Sequence, residues 1–313
     1  MFIVTGGAGF IGSNVVKELN RRGVTDILVV DNLSRSEKFR NLADLVIRDY
    51  MDKREFRQRL DAGTFDLKTE AILHNGACSD TMEGDGRYML ENNFADSKAI
   101  LSHALRHRIP FVYASSAATY GASSSFTVDP AHERPLNVYG WSKLVFDQHV
   151  RPLLPYVEST VVGLRYFNVY GPREQHKGRM MSVLHQLLRQ LRETGVCKLF
   201  EGTDGYGNGE QVRDFVFVDD IVDLNLYFAE GPVRKGIFNA GTGQARSFNA
   251  IAQTLIRLLG QGRIEYIPFP DVLRGKYQSF TQADVSSLRD AGYTRPFTSL
   301  EEGIAKTLAE LEG

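Results

Sequence analysis

The sequence predicts an α/β fold: a Rossmann-type doubly wound parallel sheet with a smaller α/β substrate-binding domain. Three observations lead there. Short apolar runs alternate with helical patterns through the first half of the chain, a glycine-rich turn joins the first strand to the first helix, and this rhythm breaks after Asn168. At 313 residues the chain can form one large unit or two coupled domains and enclose a cleft.

The opening "MFIVTGGAGFIGSNVVKELNRRG" reads as strand, turn and amphipathic helix, and "DILVVDN" as a second buried strand, which completes one βαβ unit. Further strands are expected at residues 45–47, 71–74, 111–115 and 160–164, with helical periodicity over 87–107 and 138–154. Past Asn168 come a helix near 181–193, a short strand at 198–200 and the loop "EGTDGYGNGEQ", whose glycines predict mobility. "RDFVFVDDIVDLNLYF" and "GIFNAGTG" read as strand, helix and strand returning to the first sheet. Residues 1–168 are thus assigned to nucleotide binding, with returning segments near 213–243, and 169–313 mainly to substrate binding.

A formal net charge of -1, with 42% hydrophobic and 24% charged residues, gives no electrostatic reason to expect nucleic acid or a membrane, and leaves a small molecule as partner. Cys78 and Cys197 stand far apart without metal-ligand spacing, which fits a reducing cytoplasm. No apolar run reaches the ~18 residues of a membrane span, and the chain enters its first strand with no leader-like segment. His103 and His107 lie four apart, but no accompanying acid completes a zinc motif, so no metal is expected.

Chemistry concentrates in a few strings. Gly6, Gly9 and Gly12 in "TGGAGFIG" sit between strand and helix, where missing side chains permit a tight turn and close approach of a pyrophosphate to the helix N-terminus. Asp31 ends the second strand at the distance typical of a carboxylate that bonds the ribose of NAD. Nearby Asn32, Arg35, Lys38 and Lys53 complicate this, because two or three cations near the ribose would instead attract the 2′-phosphate of NADP. Tyr139 and Lys143 in "NVYGWSK" share a helix face, and a neighbouring ammonium would favour the phenolate as a base for an alcohol proton. Ser116, in "YASSAATYG", can orient the reacting oxygen. Lys177 stands alone in the loop "YGPREQHKGRM", among residues that promise neither burial nor a partner.

Serine, tyrosine and lysine in this order after a glycine turn resemble the short-chain dehydrogenase/reductase superfamily. Asn92 and Asn93, "RDFVFVDD" and "FNAGTG" point to its extended branch, which acts mostly on nucleotide sugars. Along nearly its whole length the chain resembles the ADP-L-glycero-D-manno-heptose 6-epimerase family, through "VTGGAGFIGSN", "DILVVDNL", "YMDK", "GACS", "PLNVYG", "RYFNVYGPRE", "HKG", "FEG", "YIPFP" and "FTQAD". The resemblance implies a tightly held NADP, an ADP-heptose substrate, a role in lipopolysaccharide core synthesis and a homo-oligomer, reportedly a pentamer. It also implies two proton-transfer groups, Tyr139 and Lys177, on opposite sides of the inverted carbon. By the same likeness Phe10, Ile11, Asp31, Asn32, Lys38, Lys53, Asn75, Gly76, Ala77, Cys78, Ser79, Asn92, Lys143 and Val169 contact the cofactor. Asn168, Phe200, Glu201, Gly202, Thr203, Arg213 and Tyr277 face the substrate, Arg213 with a planar fork suited to a diphosphate. Arg179 stands where a member of the family has serine and Gln186 where a histidine is expected, with His185 adjacent, and the 204–211 loop is longer than expected; these departures fall at nucleotide and heptose contacts.

Ala117 and Ala118 occupy the place where a nucleotide-sugar dehydratase needs acids. A UDP-hexose 4-epimerase shares Ser116, Tyr139 and Lys143 and is the alternative reading. A cofactor-sensing module would not need the tyrosine and lysine.

Overall fold

The computed structural model describes residues 1–271 and 277–312. Seven parallel strands form the large sheet: β1 (Phe2–Thr5), β2 (Ile27–Asp31), β3 (Asp49–Asp52), β4 (Ala71–His74), β5 (Phe111–Ser116), β6 (Val161–Tyr166) and β10 (Lys235–Ala240). Their order, β10-β6-β5-β4-β1-β2-β3, reverses direction next to β1, so a crevice opens where the carboxyl ends of β1 and β4 diverge. The central strands are buried on both sides, which is why they read as unbroken apolar runs.

One face of the sheet is covered by α1 (Phe10–Arg21) and α7 (Val218–Glu230), whose Val15, Leu19, Ile221 and Phe228 share a core with β1 and β2. The other is covered by α2 (Lys53–Asp61), α4 (Asp96–Arg106) and α5 (Val138–Val150), through Phe56, Leu60, Leu101 and Phe146. A short α3 (Gly86–Leu90) runs into α4 through a π-helical turn at Glu91–Ala95, so the predicted helix over 87–107 is real but locally underwound. The His103 and His107 rings lie 4.5 Å apart at the C-terminal end of α4, His107 being its capping residue.

The smaller part holds β7 (Asn168–Tyr170) and β9 (Val212–Phe217) with β11 (Ala245–Ser247), and a parallel pair of β8 (Val196–Phe200) and β12 (Arg263–Ile267). Its core is made by α6 (Val183–Thr194), α8 (Phe248–Leu259) and α10 (Leu300–Glu312); α9 (Ser286–Asp290) packs instead beside β10. Left-handed glycines at Gly195 and Gly260 (φ +72° and +68°) end α6 and α8.

Two sequence expectations are corrected. Residues 45–47 are not a strand. They pack as loop against the core, and the edge strand begins at Asp49, where two aspartates in four residues conceal it from an apolar pattern. Only part of the returning segment reaches the large sheet: α7 and β10 join it, whereas β9 pairs with β7 and β11.

Candidate active site

One cavity of about 630 Å³ runs along the crevice. It is lined by every residue expected at the cofactor, by Ser116, Tyr139, Lys143 and Lys177, and by Asn168. At its floor the glycine turn is fixed by backbone geometry. Gly6 has φ +66° and a Cβ there would lie 2.7 Å from the backbone of Asn75 and Gly76, while a Cβ on Gly12 would lie 2.2 Å from the Gly6 carbonyl oxygen. Gly9 caps α1 without a side chain, so the first-turn N–H groups stay free to meet an anion. Asn75 lines the same cavity, its Oδ1 accepting from Tyr166 at 3.0 Å, while its buried Nδ2 has no partner among the described residues. A buried donor left unpaired is costly, so the site fits a ligand that brings an acceptor.

At the end of β2 Asp31 is buried and tightly held. Oδ2 accepts from Ala8 N at 2.9 Å, Oδ1 accepts from Asn32 N at 2.6 Å, and Lys38 Nζ forms a short ion pair with Oδ1 while also donating to Asn32 O at 2.8 Å. The carboxylate therefore meets the cavity already neutralised. Lys53 points elsewhere: its amine bonds Asn92 Oδ1 in the π-helical turn. The adjacent Asn93 grips Cys78 through N–H to Oδ1 at 2.7 Å and Nδ2 to O at 2.9 Å, and donates to Ser142 Oγ at 2.9 Å, beside Lys143. A π turn placing two polar side chains between cavity wall and catalytic helix is the usual setting of such bulges.

Asn137 caps α5 by accepting from Gly140 N at 2.8 Å, and so fixes the turn that carries Tyr139. The Tyr139 phenol is pushed up by burial, and its hydrogen bond with Ser116 pulls the other way. The Lys143 amine donates to Ala114 O at 2.9 Å, and burial lowers it to about 8. One turn on, Asp147 accepts from Tyr113 at 3.0 Å, Ser115 at 2.9 Å and Arg165 Nε at 2.9 Å, tying α5 to β5 and β6.

Lys177 differs most from its sequence reading. It is largely buried, 3.9 Å from Glu174 Oε2 and 5.3 Å above the Phe10 ring of α1, and burial lowers its proton affinity. Its turn is stitched to the cofactor half by residues the motif search passed over. Asn14 Nδ2 donates to Pro172 O at 3.1 Å, and Asn41 Nδ2 lies 3.0 to 3.1 Å from Arg173 O, Ala8 O and His176 Nδ1. Isolated asparagines carry no sequence signal of such a role.

The other candidates lie beyond the cavity lining. Arg213 is buried, stacked 4.7 Å from Tyr277 and 5.7 Å from Phe248, and has no carboxylate partner among the described residues, so its fork is available to an anion. Phe200 packs edge-on against Phe269 at 5.5 Å, and Glu201, Gly202 and Thr203 lead from it into the glycine-rich loop. Arg179 is largely exposed and pairs with Asp80 at 2.8 Å, while Gln186 braces Met181 O at 2.8 Å.

Comparison with known proteins agrees with this geometry. Residues 2–241 match the NAD dependent epimerase/dehydratase family. The chain is 59% identical over 308 residues to the ADP-L-glycero-D-manno-heptose-6-epimerase of Alkalilimnicola ehrlichii, covering 98% of this chain and 96% of that one. Among solved structures it superposes on the ADP-L-glycero-D-manno-heptose-6-epimerase of Helicobacter pylori with a TM-score of 0.86 at 32% identity, covering 100% of this chain and 96% of the other. MoeE5 in complex with UDP-glucuronic acid and NAD gives 0.78 at 26% identity, with 99% and 98% covered. A glycine cradle, a Ser-Tyr-Lys set and this degree of likeness lead to one conclusion: the chain belongs to the NAD-dependent epimerase/dehydratase family, among its ADP-L-glycero-D-manno-heptose 6-epimerases.

Proposed function

We propose that the protein interconverts ADP-D-glycero- and ADP-L-glycero-D-manno-heptose by oxidising one carbinol to a ketone and re-reducing it on the opposite face, with NADP as resident cofactor. The observation that carries this reading is that Tyr139 from α5 and Lys177 from the turn after β7 line one cavity with the glycine cradle. When bound, the nicotinamide accepts and returns the hydride.

The protein's part is proton handling and grip. Tyr139 Oη takes the hydroxyl proton of one epimer and returns it in reverse, Ser116 holds the reacting oxygen by a hydrogen bond, and Lys143 steadies the cofactor's ribose. Lys177 Nζ serves the other face, where burial lowers the amine's hold on its proton. Arg213, stacked on Tyr277, grips the diphosphate, with 200–203 beside it. On this division residues 1–168 hold NADP and 169–313 mainly hold the sugar nucleotide, in a cytoplasmic homo-oligomer whose copy number, five by family likeness, light scattering would count.

The test is epimerisation of purified ADP-heptose followed by NMR of the epimer ratio. Tyr139→Phe and Lys177→Met are each expected to lose at least about a hundredfold in kcat. Near wild-type turnover in Lys177→Met would reduce the scheme to a single base, and turnover of UDP-galactose without turnover of ADP-heptose would overturn the substrate.

A further inference from the structure

Behind the Lys177 turn lies Glu174, a carboxylate with no exposed side-chain surface that does not line the cavity. A buried charge is tolerated only when hydrogen bonds or a counter-ion compensate its lost hydration. Here Oε2 accepts from Ser182 N at 2.7 Å, and Oε1 accepts from Ser182 Oγ at 2.6 Å and Gly171 N at 3.4 Å. His185 Nε2 lies 3.4 Å from Oε1 and donates to Gly171 O at 2.7 Å, closing the far side. The carboxylate is thus locked between the end of β7 and the start of α6 before it meets Lys177.

We propose that Glu174 is a positioning residue for Lys177: a fixed counter-charge that holds the amine at the cavity wall and sets how readily it releases its proton. The 3.9 Å separation from Nζ is within reach of Coulomb attraction and too long for a hydrogen bond, and among the described residues Nζ donates to no other group. Its three N–H bonds therefore remain for the substrate, while the charge that keeps it in place is supplied from behind. Burial weakens the amine as an acceptor of protons and Glu174 opposes that effect, which lets one group serve as base in one direction and acid in the other. Among the described residues Glu174 is the one charge that bears on the amine. His176, beside Lys177 in the turn, is itself held down to about 4, chiefly by burial, His185 from α6 faces Glu174, and α1 presents only the Phe10 ring.

The inference rests on Lys177 as a proton-transfer group, yet its test reads the amine and not the reaction. Competitive acetylation of the holoenzyme with acetic anhydride across a pH series, read by mass spectrometry of the Lys177 peptide, titrates Nζ directly. In Glu174→Gln the curve is expected to move to lower pH, and in Glu174→Asp, which keeps the charge but retracts it, to move less in the same direction. Should Gln prevent folding, the Asp variant alone decides. A curve that stays in place overturns the proposal, and so does one that moves to higher pH, because a merely structural loss would expose the amine and restore its ordinary basicity. Full activity in Lys177→Met would sink the two-base reading while leaving this titration interpretable.

Discussion

Replacing Lys38 by Met should reverse the preference between NADP and NAD, and the structure gives the size of the effect. Asp31 is only 6% exposed and Lys38 14%, so their ion pair is screened far less than one on the surface. Two backbone N–H groups, from Ala8 and Asn32, hold the Asp31 carboxylate in place whatever happens to Lys38. Without the lysine the ribose edge changes from a neutral pair to a bare carboxylate. A 2′-phosphate, carrying about -1.5 to -2 charges, would then face repulsion of roughly 1–4 kcal/mol per unit charge at ~4 Å. The freed Oδ1 could at the same time accept from the 2′-hydroxyl of NAD, a charge-assisted bond worth about 1.5–3 kcal/mol.

Taking the lower ends of these ranges, with the smaller phosphate charge, gives on the order of 3 kcal/mol, or somewhat more than about a hundredfold in the ratio of dissociation constants. The assay has two arms: mass spectrometry of the nucleotide released on denaturation, and competition titration of the stripped protein with both nucleotides. Wild type should release NADP and Lys38→Met mostly NAD. A ratio unchanged within about threefold would refute the reasoning, because the lysine would then not be what reconciles Asp31 with a 2′-phosphate.

Other expectations can be checked more briefly. Gly12→Ala should abolish cofactor retention, since its Cβ would stand 2.2 Å from the Gly6 carbonyl oxygen; nucleotide content after gel filtration measures this. Asp147→Ala removes one of the two carboxylates that hold the fully buried Arg165, leaving Glu133, and should cost about 1.5–3 kcal/mol in urea unfolding. Asn41→Ala removes the donor shared by Ala8, Arg173 and His176 and should raise hydrogen exchange across 173–178 by roughly tenfold or more, at about 1 kcal/mol per lost bond. Stability should also fall in acid. His74 and His176 are depressed by burial from their ordinary value to about 3 and about 4, so their contribution is present above pH ~6.5 and lost as pH falls toward those values. Asp220, raised by burial to about 6, works against that trend, and a His74→Asn variant should flatten the acid limb of a thermal-melt series.

The sequence made legible whatever depends on local pattern. β1, the glycine turn and α1 could be read because a strand buried on both faces must be apolar throughout, and because the turn leaves no room for a Cβ at Gly6 or Gly12. Tyr139 and Lys143 were legible for the same kind of reason, a fixed helical spacing. What spacing could not convey was the orientation of each charge: Lys143 turns to a main-chain oxygen, Lys53 to Asn92, and Lys38 to Asp31. The largest gap concerns Lys177. Its loop is polar in sequence, and the residues that bury and pair it come from α1 and from a glutamate locked by the start of α6, contacts that exist only once the two halves have met.

That meeting bears on how an inversion is accomplished. Phe10 begins the cofactor helix yet packs in the core of the smaller part, Asn14 of the same helix holds Pro172, and Asn41 holds Arg173, whose guanidinium donates back to Asn41 O at 2.7 Å. Arg173 accepts φ +72° in doing so, a conformation that a non-glycine residue keeps only when its surroundings fix it. The Lys177 turn is therefore tied to the first helix and its neighbouring loop as well as to the start of α6. Swinging Lys177 from one face of a bound ketone to the other would break these bonds together. If Tyr139 on α5 and Lys177 on this turn act as proposed, the economical way to present both faces to one hydride position is for the sugar to turn between two stationary groups.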